Sequence, residues 1–269
     1  MKLAVAATAP FGADVLERLA AQHEVTALLT RPDAPRGRGR KTAAPPAKEA
    51  AERLGIRVLQ PARPEPGLDL GADTVVVAGY GLLIPESVLD ERLWLNVHPS
   101  LLPRWRGAAP VERAIMAGDR ETGVTIHKTT ADLDAGPIAA QRRFPIGPED
   151  DTAVVIERAA ALAVDLLGEV FAEPTFVPQP DGATYAEKLT AADRELDWTK
   201  TTEDLLNQIR ALSPHIGARG LVDGRRLLVW KARPAREDSL LVADGLELLE
   251  VQREGGKRMS AEEYLRGRR

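Results

Sequence analysis

The segment LAVAATAPFGADVLERLAAQHEVTALL (residues 3–29) decides the fold class. Residues 3–7 form a short apolar run that predicts a buried strand, and residues 25–29 predict a second one. Between them, residues 12–22 carry apolar side chains at helical spacing, namely Val15, Leu16, Leu19 and Ala20. A strand, a helix and a strand of these lengths are typical of an α/β protein with a parallel sheet.

The same alternation continues to about residue 171. The pattern predicts further strands at residues 56–59, 74–78, 94–97, 122–128 and 138–144, and helices at residues 47–54, 110–117 and 152–171. We therefore predict a Rossmann-like, doubly wound and mostly parallel sheet. No G-x-G-x-x-G motif follows the first strand, so a dinucleotide cofactor is not indicated.

A different pattern begins at residue 174. Residues 174–184 contain three prolines and a glycine, which is typical of a linker. A helix is predicted at residues 202–212, followed by short strands at residues 218–221, 226–231, 240–242 and 247–252, which favour a small β-barrel. The predicted domains are residues 1–173, a linker at 174–201, and residues 202–269.

Composition limits the function. The chain has 269 residues, no cysteine and a net charge of −4, which argues against a protein that coats nucleic acid through a basic surface. Its four histidines contain no pair at metal-ligand spacing, so we expect no metal site. No run of about 18 apolar residues and no signal segment is found, which favours a cytoplasmic protein that does not cross a membrane.

The run LNVHPSLLPRWRGAAP (residues 95–110) carries candidate chemistry. Asn96 and His98 lie two residues apart at the end of a predicted strand, so their side chains point to one face. The chain then enters a loop, which is the usual place for a site in an open α/β sheet. A second loop, DLDAG (residues 132–136), supplies Asp134.

These motifs resemble the formyltransferase family that uses 10-formyltetrahydrofolate. The resemblance extends over nearly the whole chain and includes VTALLTRPD (25–33), GYGLLIP (79–85), TGVT (122–125) and YAEKL (185–189). It implies an N-terminal catalytic domain, a C-terminal barrel of the OB type that binds tRNA, a folate cosubstrate as formyl donor, no metal, and a monomer. Among family members, the motifs are most similar to those that formylate methionyl initiator tRNA for translation initiation.

The resemblance also implies catalytic roles for three residues. Formyl transfer passes through a tetrahedral intermediate, in which Asn96 and His98 stabilise the charge on oxygen and Asp134 assists proton transfer. A carboxylate beside an imidazole raises the pKa of the imidazole, so we expect Asp134 to hold His98 in its charged form. Nearby, Arg106 either pairs with a carboxylate or anchors its loop, and we favour the anchoring role.

Two further sets of residues are assigned by resemblance. Ser100, Leu101, Leu102 and Pro103 match the segment that contacts the folate. A basic loop is predicted to reach the acceptor arm of the tRNA, although basic loops are more commonly only solvated. Its residues are Arg31, Arg36, Arg38, Arg40 and Lys41.

Two other functions stay open at this point. Formylation of an amino sugar nucleotide needs the same Asn, His and Asp, and its enzymes carry histidine where His127 lies in this chain. A tRNA-binding protein without catalysis is disfavoured because Asn96, His98 and Asp134 are all present. The glycine- and arginine-rich loop favours the tRNA acceptor, since a small acceptor would give that loop nothing to bind.

Overall fold

A seven-stranded sheet organises the N-terminal part of the chain in the computed structural model, which describes residues 1–36 and 41–267. Among those residues, the strands are β1 (Lys2–Ala7), β2 (Glu24–Leu29), β3 (Ala34–Arg36), β4 (Lys41–Ala43), β5 (Arg57–Leu59), β6 (Thr74–Ala78), β7 (Leu93–His98), β8 (Arg106–Gly107), β9 (Glu121–Lys128), β10 (Ile138–Pro145), β11 (Tyr185–Ala186), β12 (Ala218–Val222), β13 (Arg225–Pro234), β14 (Val242–Ala243), β15 (Leu246–Arg253) and β16 (Arg258–Ser260). The helices are α1 (Pro10–Ala20), α2 (Pro46–Arg53), α3 (Glu86–Leu89), α4 (Pro110–Met116), α5 (Thr152–Ala172), α6 (Thr202–Leu212) and α7 (Ala261–Arg266), with a 3₁₀ turn at Ala192–Arg194. No helix among the described residues is both long enough and apolar enough to span a bilayer.

The large sheet has the strand order β10-β9-β7-β6-β1-β2-β5. The five strands from β7 to β5 are parallel to their neighbours, whereas β9 runs antiparallel to β7. The prediction of a mostly parallel sheet is therefore confirmed. Strand β9 comes later in the chain and pairs antiparallel with β7, the strand that carries Asn96 and His98.

Strand β1 shows why this sheet is doubly wound. Its residues Leu3 to Ala7 are all fully buried. Alternate side chains enter two separate apolar clusters, with Val5 packed on the side of α1 and Ala4 packed on the side of Trp94. A strand that buries both faces needs a continuous apolar run, which is what the sequence of β1 provides.

The described residues fall into two units that alternate along the chain. The first comprises Met1–Ala108, Gly123–Phe144 and Ile156–Tyr185, and the second comprises Ala109–Thr122, Pro145–Val155 and the chain from Ala186 onward. The domain boundaries expected from sequence stay a prediction.

The second unit is built on an antiparallel sheet. Its strand order is β12-β13-β15-β14, with β16 also paired to β15. The pairing of β13 with β15 changes register on both sides of Lys231, and such irregularities bend a sheet. Helix α4 completes this unit, because Met116 packs on its apolar core and the Arg113 guanidinium lies 2.6 Å from the Asp193 carboxylate.

Short elements were not predicted from sequence. The pairs β3–β4 and β8–β11, strand β16, helix α3 and helix α7 are each two to six residues long, too short for a hydrophobic period to appear. The strand expected at residues 240–242 is instead Val242–Ala243, which pairs across the Gly245 turn with β15.

We predict that Gly12→Ala lowers the free energy of unfolding by about 1–3 kcal/mol, the usual effect of overpacking. A Cβ atom at Gly12 would lie 2.2 Å from the Ala78 carbonyl oxygen, so α1 would have to move away from β6. Gly168→Ala is the matched control, because Gly168 is an exposed helical glycine at which an added Cβ would meet no atom within 4 Å. It should raise the free energy of unfolding by about 0.5–1 kcal/mol.

Urea unfolding of both variants checks this prediction. Equal effects of the two substitutions would show that close contact between α1 and β6 does not limit stability.

Candidate active site

Strands β7 and β9 place an amide and two imidazoles on one face of the sheet. Asn96 and His98 share a face of β7 because strand side chains alternate with period two. On the antiparallel neighbour β9, His127 lies directly opposite Asn96. Both histidines are buried, with 4% of His98 and 1% of His127 exposed.

Asp134 is the centre of the cluster. Its Oδ1 accepts a hydrogen bond from Asn96 Nδ2 at 3.0 Å, and its Oδ2 accepts one from the Gly107 N–H at 2.8 Å. His98 Nδ1 lies 3.6 Å from Oδ2, and His127 Nε2 lies 3.7 Å from Oδ1. The structure thus brings together the three predicted catalytic residues and adds His127 and Gly107.

The backbone of the DLDAG loop has an uncommon conformation at Asp134 and a close approach to β9 at Gly136. Asp134 adopts a φ of +48°, in the left-handed region that residues with a Cβ atom rarely adopt. Two residues later, a Cβ atom at Gly136 would lie 1.7 Å from the Lys128 carbonyl oxygen. Only glycine allows the loop to pass this close to the end of β9, which gives a physical reason for the Asp-x-Gly spacing.

Asn96 is held by two acceptors. His127 Nδ1 lies 3.0 Å from the Lys128 carbonyl oxygen, so this nitrogen carries a hydrogen and Nε2 is left to accept. Asn96 Nδ2 then donates to His127 Nε2 at 3.0 Å as well as to Asp134. A role for Asn96 as donor to a formyl oxygen therefore requires one of these hydrogen bonds to be exchanged.

His98 differs from the expectation. Its Nε2 donates to the Trp105 carbonyl oxygen at 2.8 Å, which leaves Nδ1 facing Asp134. Burial lowers the pKa of His98, and this effect outweighs the opposing effect of the Asp134 carboxylate. The expectation that Asp134 holds His98 in its charged form is wrong, because desolvation of a buried imidazolium costs more than the nearby carboxylate offsets.

The Asp134 carboxyl is ionised at neutral pH. Burial acts to raise its pKa, but the Gly107 N–H, which donates to Oδ2, acts to lower it. The lowering prevails, so the pKa lies below the ordinary value for aspartate. The cluster therefore combines a buried carboxylate with a neutral His98.

The segment predicted to contact folate follows β7 directly. Ser100 is fully buried, and its hydroxyl donates to the Arg104 carbonyl oxygen at 2.7 Å. The Thr125 hydroxyl donates to the Ser100 carbonyl oxygen and accepts from the Leu102 N–H, which anchors this segment to β9. Leu101 and Pro103 are partly exposed, whereas Leu102 is buried.

The structure describes only part of the predicted tRNA-binding loop. Arg31 is exposed at the end of β2, and Gln60 Nε2 donates to its carbonyl oxygen. The backbones of Arg36 and Lys41 pair in the β3–β4 hairpin, while Arg38 and Arg40 lie outside the described residues.

Sequence reasoning missed several contacts of Asp134. It noted His127 but assigned it no role, and it did not consider the Gly107 N–H or Gln179, whose Nε2 donates to the Asp134 carbonyl oxygen at 2.8 Å. The signal available for His127 was the histidine that the resemblance gives at this position to members that act on amino sugar nucleotides. Within the part of the chain that the structure describes, no three His, Cys, Asp or Glu side chains are grouped so that they could bind a metal ion.

Comparison with known proteins finds matches over most of the chain. A family model described as Formyl transferase matches residues 1–171, and one described as Formyl transferase, C-terminal domain, matches residues 188–241. The methionyl-tRNA formyltransferase of Dechloromonas aromatica is 39% identical over 294 residues, a match that covers 99% of this chain and 96% of that protein. The protein of the same name from Paracoccus denitrificans is 42% identical over 290 residues, covering 99% and 97%.

A solved structure shows the same fold. Methionyl-tRNA formyltransferase from Clostridium thermocellum has a TM-score of 0.62 and 16% identity, and the match covers 93% of this chain and 99% of that one. At this level of identity, the likeness concerns the fold alone.

We predict that His98 makes stability fall at mildly acidic pH. The unfolded chain binds a proton on His98 near pH 6.5, whereas the folded protein binds it only at lower pH. The contribution of the neutral imidazole is therefore complete above about pH 6.5 and is lost as pH falls toward the lowered folded pKa, with a slope of at most about 1.4 kcal/mol per pH unit.

Urea unfolding between about pH 5 and pH 7.5 tests this. The difference in unfolding free energy between wild type and His98→Gln should shrink as pH falls. His215→Gln is the control, since it makes the same substitution at an exposed histidine of the second unit. Parallel curves for wild type and His98→Gln would contradict the prediction.

Proposed function

Because the chain belongs to the formyl transferase family, we propose that it transfers the formyl group of 10-formyltetrahydrofolate to the α-amino group of methionyl initiator tRNA. The observation that carries the proposal is the buried cluster in which Asp134 contacts Asn96 at 3.0 Å and faces His98 at 3.6 Å. Both full-length relatives bear the name methionyl-tRNA formyltransferase, which supports the choice of acceptor.

The proposed chemistry is an acyl transfer in two steps. The methionyl nitrogen attacks the formyl carbon, a C–N bond forms, and the carbonyl electrons move to oxygen to give a tetrahedral intermediate. The bond between the formyl carbon and the folate nitrogen then breaks, and that nitrogen takes up a proton. The reaction therefore needs a proton acceptor for the attacking amine, a proton donor for the leaving amine, and stabilisation of the oxyanion.

His98 and Asp134 suit the proton transfers. Neutral His98 has an unprotonated Nδ1 that can accept the proton of the attacking amine, directly or through water. Asp134, 3.6 Å away, would stabilise the resulting imidazolium. The same proton can then pass to the leaving nitrogen of the folate.

Asn96 and His98 are the proposed stabilisers of the oxyanion. In this arrangement the formyl oxygen takes the place of the acceptors that they now contact, Trp105 for His98 and His127 or Asp134 for Asn96. Catalytic hydrogen bonds commonly reach their final geometry only once substrate is bound.

We assign the substrates to the surfaces expected from the resemblance. Ser100, Leu101, Leu102 and Pro103 would form a wall of the folate site, with Leu101 and Pro103 presenting accessible apolar surface. Residues 1–173 would be the catalytic domain and residues 174–201 a linker. Residues 202–269 would be an OB-type tRNA-binding domain, in keeping with their antiparallel sheet. We further propose a cytoplasmic monomer.

One observation favours a second acceptor. His127 lies inside the cluster, where tRNA-specific members are expected to have an apolar residue. An amino sugar nucleotide is therefore the alternative acceptor. Identity of about 40% over the full length with relatives named for methionyl-tRNA favours the tRNA.

The purified protein should formylate methionyl initiator tRNA when supplied with 10-formyltetrahydrofolate. Formylated product is measured in parallel for methionyl initiator tRNA, methionyl elongator tRNA and a panel of amino sugar nucleotides. His98→Ala should lower the rate on the order of 100- to 1,000-fold, because it removes a group that acts on the transition state. The matched control His23→Ala should retain the wild-type rate per folded protein, since His23 contacts Phe171 and precedes β2, at the end of the parallel strands opposite to His98.

Formylated sugar without formylated tRNA would replace the proposed acceptor with the alternative one. An absence of any formylated product would contradict the proposal as a whole.

The basic loop makes a separate prediction. Replacing Arg38 and Arg40 with alanine should raise the KM for tRNA and reduce the dependence of binding on salt, because phosphate neutralisation releases counterions. Binding of the folate should be unchanged. The control replaces Arg53 and Arg63, two exposed arginines elsewhere in the chain, and removes the same charge. Equal effects of the two double variants would exclude a specific role of the loop.

A further inference from the structure

Gln179, in the predicted linker, contacts the backbone of the loop that carries Asp134. Its side-chain Nε2 donates to the Asp134 carbonyl oxygen at 2.8 Å and to the Gly136 carbonyl oxygen at 2.8 Å. Both amide hydrogens are therefore used on carbonyls that flank Ala135. The sequence around Gln179 consists of Pro178 and Pro180 in a polar segment, which predicts only a solvated linker.

Arg106 fixes the orientation of the Gln179 amide. Its Nε and Nη2 both donate to Gln179 Oε1, at 3.1 and 2.7 Å. Because a guanidinium can only donate, the amide oxygen must face Arg106 and the amide nitrogen must face the Asp134 loop. Arg106 thus anchors its loop through Gln179, in agreement with the structural role favoured from sequence.

The two sets of contacts restrain both the backbone and the carboxylate of Asp134. Gln179 binds its backbone, and the N–H of Gly107, the neighbour of Arg106, binds its carboxylate at 2.8 Å. This restraint matters because Asp134 has a φ of +48°, a conformation disfavoured for a residue with a Cβ. Without the two Gln179 hydrogen bonds, the loop would lose two of the contacts that hold Asp134 at this φ.

We propose that Gln179, oriented by Arg106, is a positioning residue that holds the Asp134 carboxylate between Asn96, His98 and Gly107. The role of that carboxylate in formyl transfer rests on the proposed function. Gln179 contacts neither substrate nor the reacting atoms, and it acts only through the backbone of Asp134 and Gly136.

The proposal predicts a kinetic effect of removing the Gln179 amide. A shift of about 1 Å in a catalytic group can cost on the order of 100-fold in rate, so Gln179→Met should lower kcat by about that factor. Because the Asp134 carboxylate acts to raise the pKa of His98, its displacement should lower that pKa. The acid limb of the pH profile of kcat/KM, which reports the proposed base His98, should then move to lower pH.

Gln208→Met is the matched control. The Gln208 side-chain Nε2 also donates to two backbone carbonyls, those of Asp193 and Glu195, both at 2.9 Å. Its replacement removes the same number and kind of hydrogen bonds, but in the second unit. Gln208→Met should leave the acid limb of the pH profile in place, because the Gln208 amide bonds Asp193 and Glu195 and not the Asp134 loop.

A second variant distinguishes the loss of these hydrogen bonds from a packing defect. Gln179→Glu keeps the length of the side chain and its pairing with Arg106, but it removes both N–H donors to the loop. It should reproduce the kcat loss and the shifted acid limb of Gln179→Met. Normal kinetics of folded Gln179→Glu would overturn the proposal.

Hydrogen exchange of the Gly107 amide gives a readout that does not depend on activity. In the wild type this N–H donates to Asp134 Oδ2, so it should exchange slowly. In Gln179→Met and Gln179→Glu it should exchange at least about tenfold faster, because the displaced carboxylate no longer protects it. In Gln208→Met its protection should equal that of the wild type.

These readouts separate the two proposals. If the wild type formylates no acceptor while Gly107 loses protection in the Gln179 variants, the proposed function fails and the positioning role stands. If Gly107 stays protected, or if kcat falls without any movement of the acid limb, the positioning role is overturned even though the enzyme is active.

Discussion

The site depends on the burial of one carboxylate. Only 9% of the Asp134 side chain is exposed, and an ionised group in such surroundings is strongly destabilising unless donors surround it. The donors come from different strands, with Asn96 on β7 and Gly107 on β8, while His127 on β9 accepts a hydrogen bond from the same Asn96 amide. The pairing of β7 with β9 therefore does more than extend the sheet, because it brings these groups around one charge.

The charge balance of the cluster follows from the same burial. Desolvation keeps His98 neutral, while its neighbours keep Asp134 ionised, so these two residues together carry a negative charge. In the proposed reaction, the acceptor amine is an ammonium ion in its resting form, and a negative site attracts it. The ammonium loses one proton to solvent before it attacks, and His98 accepts a second as the C–N bond forms, after which the imidazolium and the carboxylate form a neutral pair. Burial thus sets the starting charge of the cluster and also lowers the basicity of His98.

The sequence was most informative where local rules apply. The continuous apolar run of β1 and the helical spacing in α1 predicted the sheet, and the period of two in β7 placed Asn96 and His98 on one face. These features depend only on neighbours along the chain. The parallel orientation of the strands around β1 could also be expected, since alternating strands and helices favour parallel pairing.

The remaining features depend on tertiary structure. The position of His127 opposite Asn96 follows from an antiparallel register that no local pattern encodes. The neutral state of His98 depends on how completely the fold excludes water, and the bonds of Gln179 depend on where a proline-flanked segment passes over the Asp134 loop.

The alternation of the two units along the chain has a consequence for how such a protein can evolve. The apolar core of the second unit includes Met116 from α4, and the Thr152 hydroxyl donates to the Ala211 carbonyl oxygen at the end of α6. Residues before position 174 thus form part of the unit that also contains the C-terminal sheet. A recombination event near residue 174 would transfer that sheet without the helix that completes its core. Exchange of the C-terminal sheet between relatives would therefore require compensating changes on α4, well outside the segment exchanged.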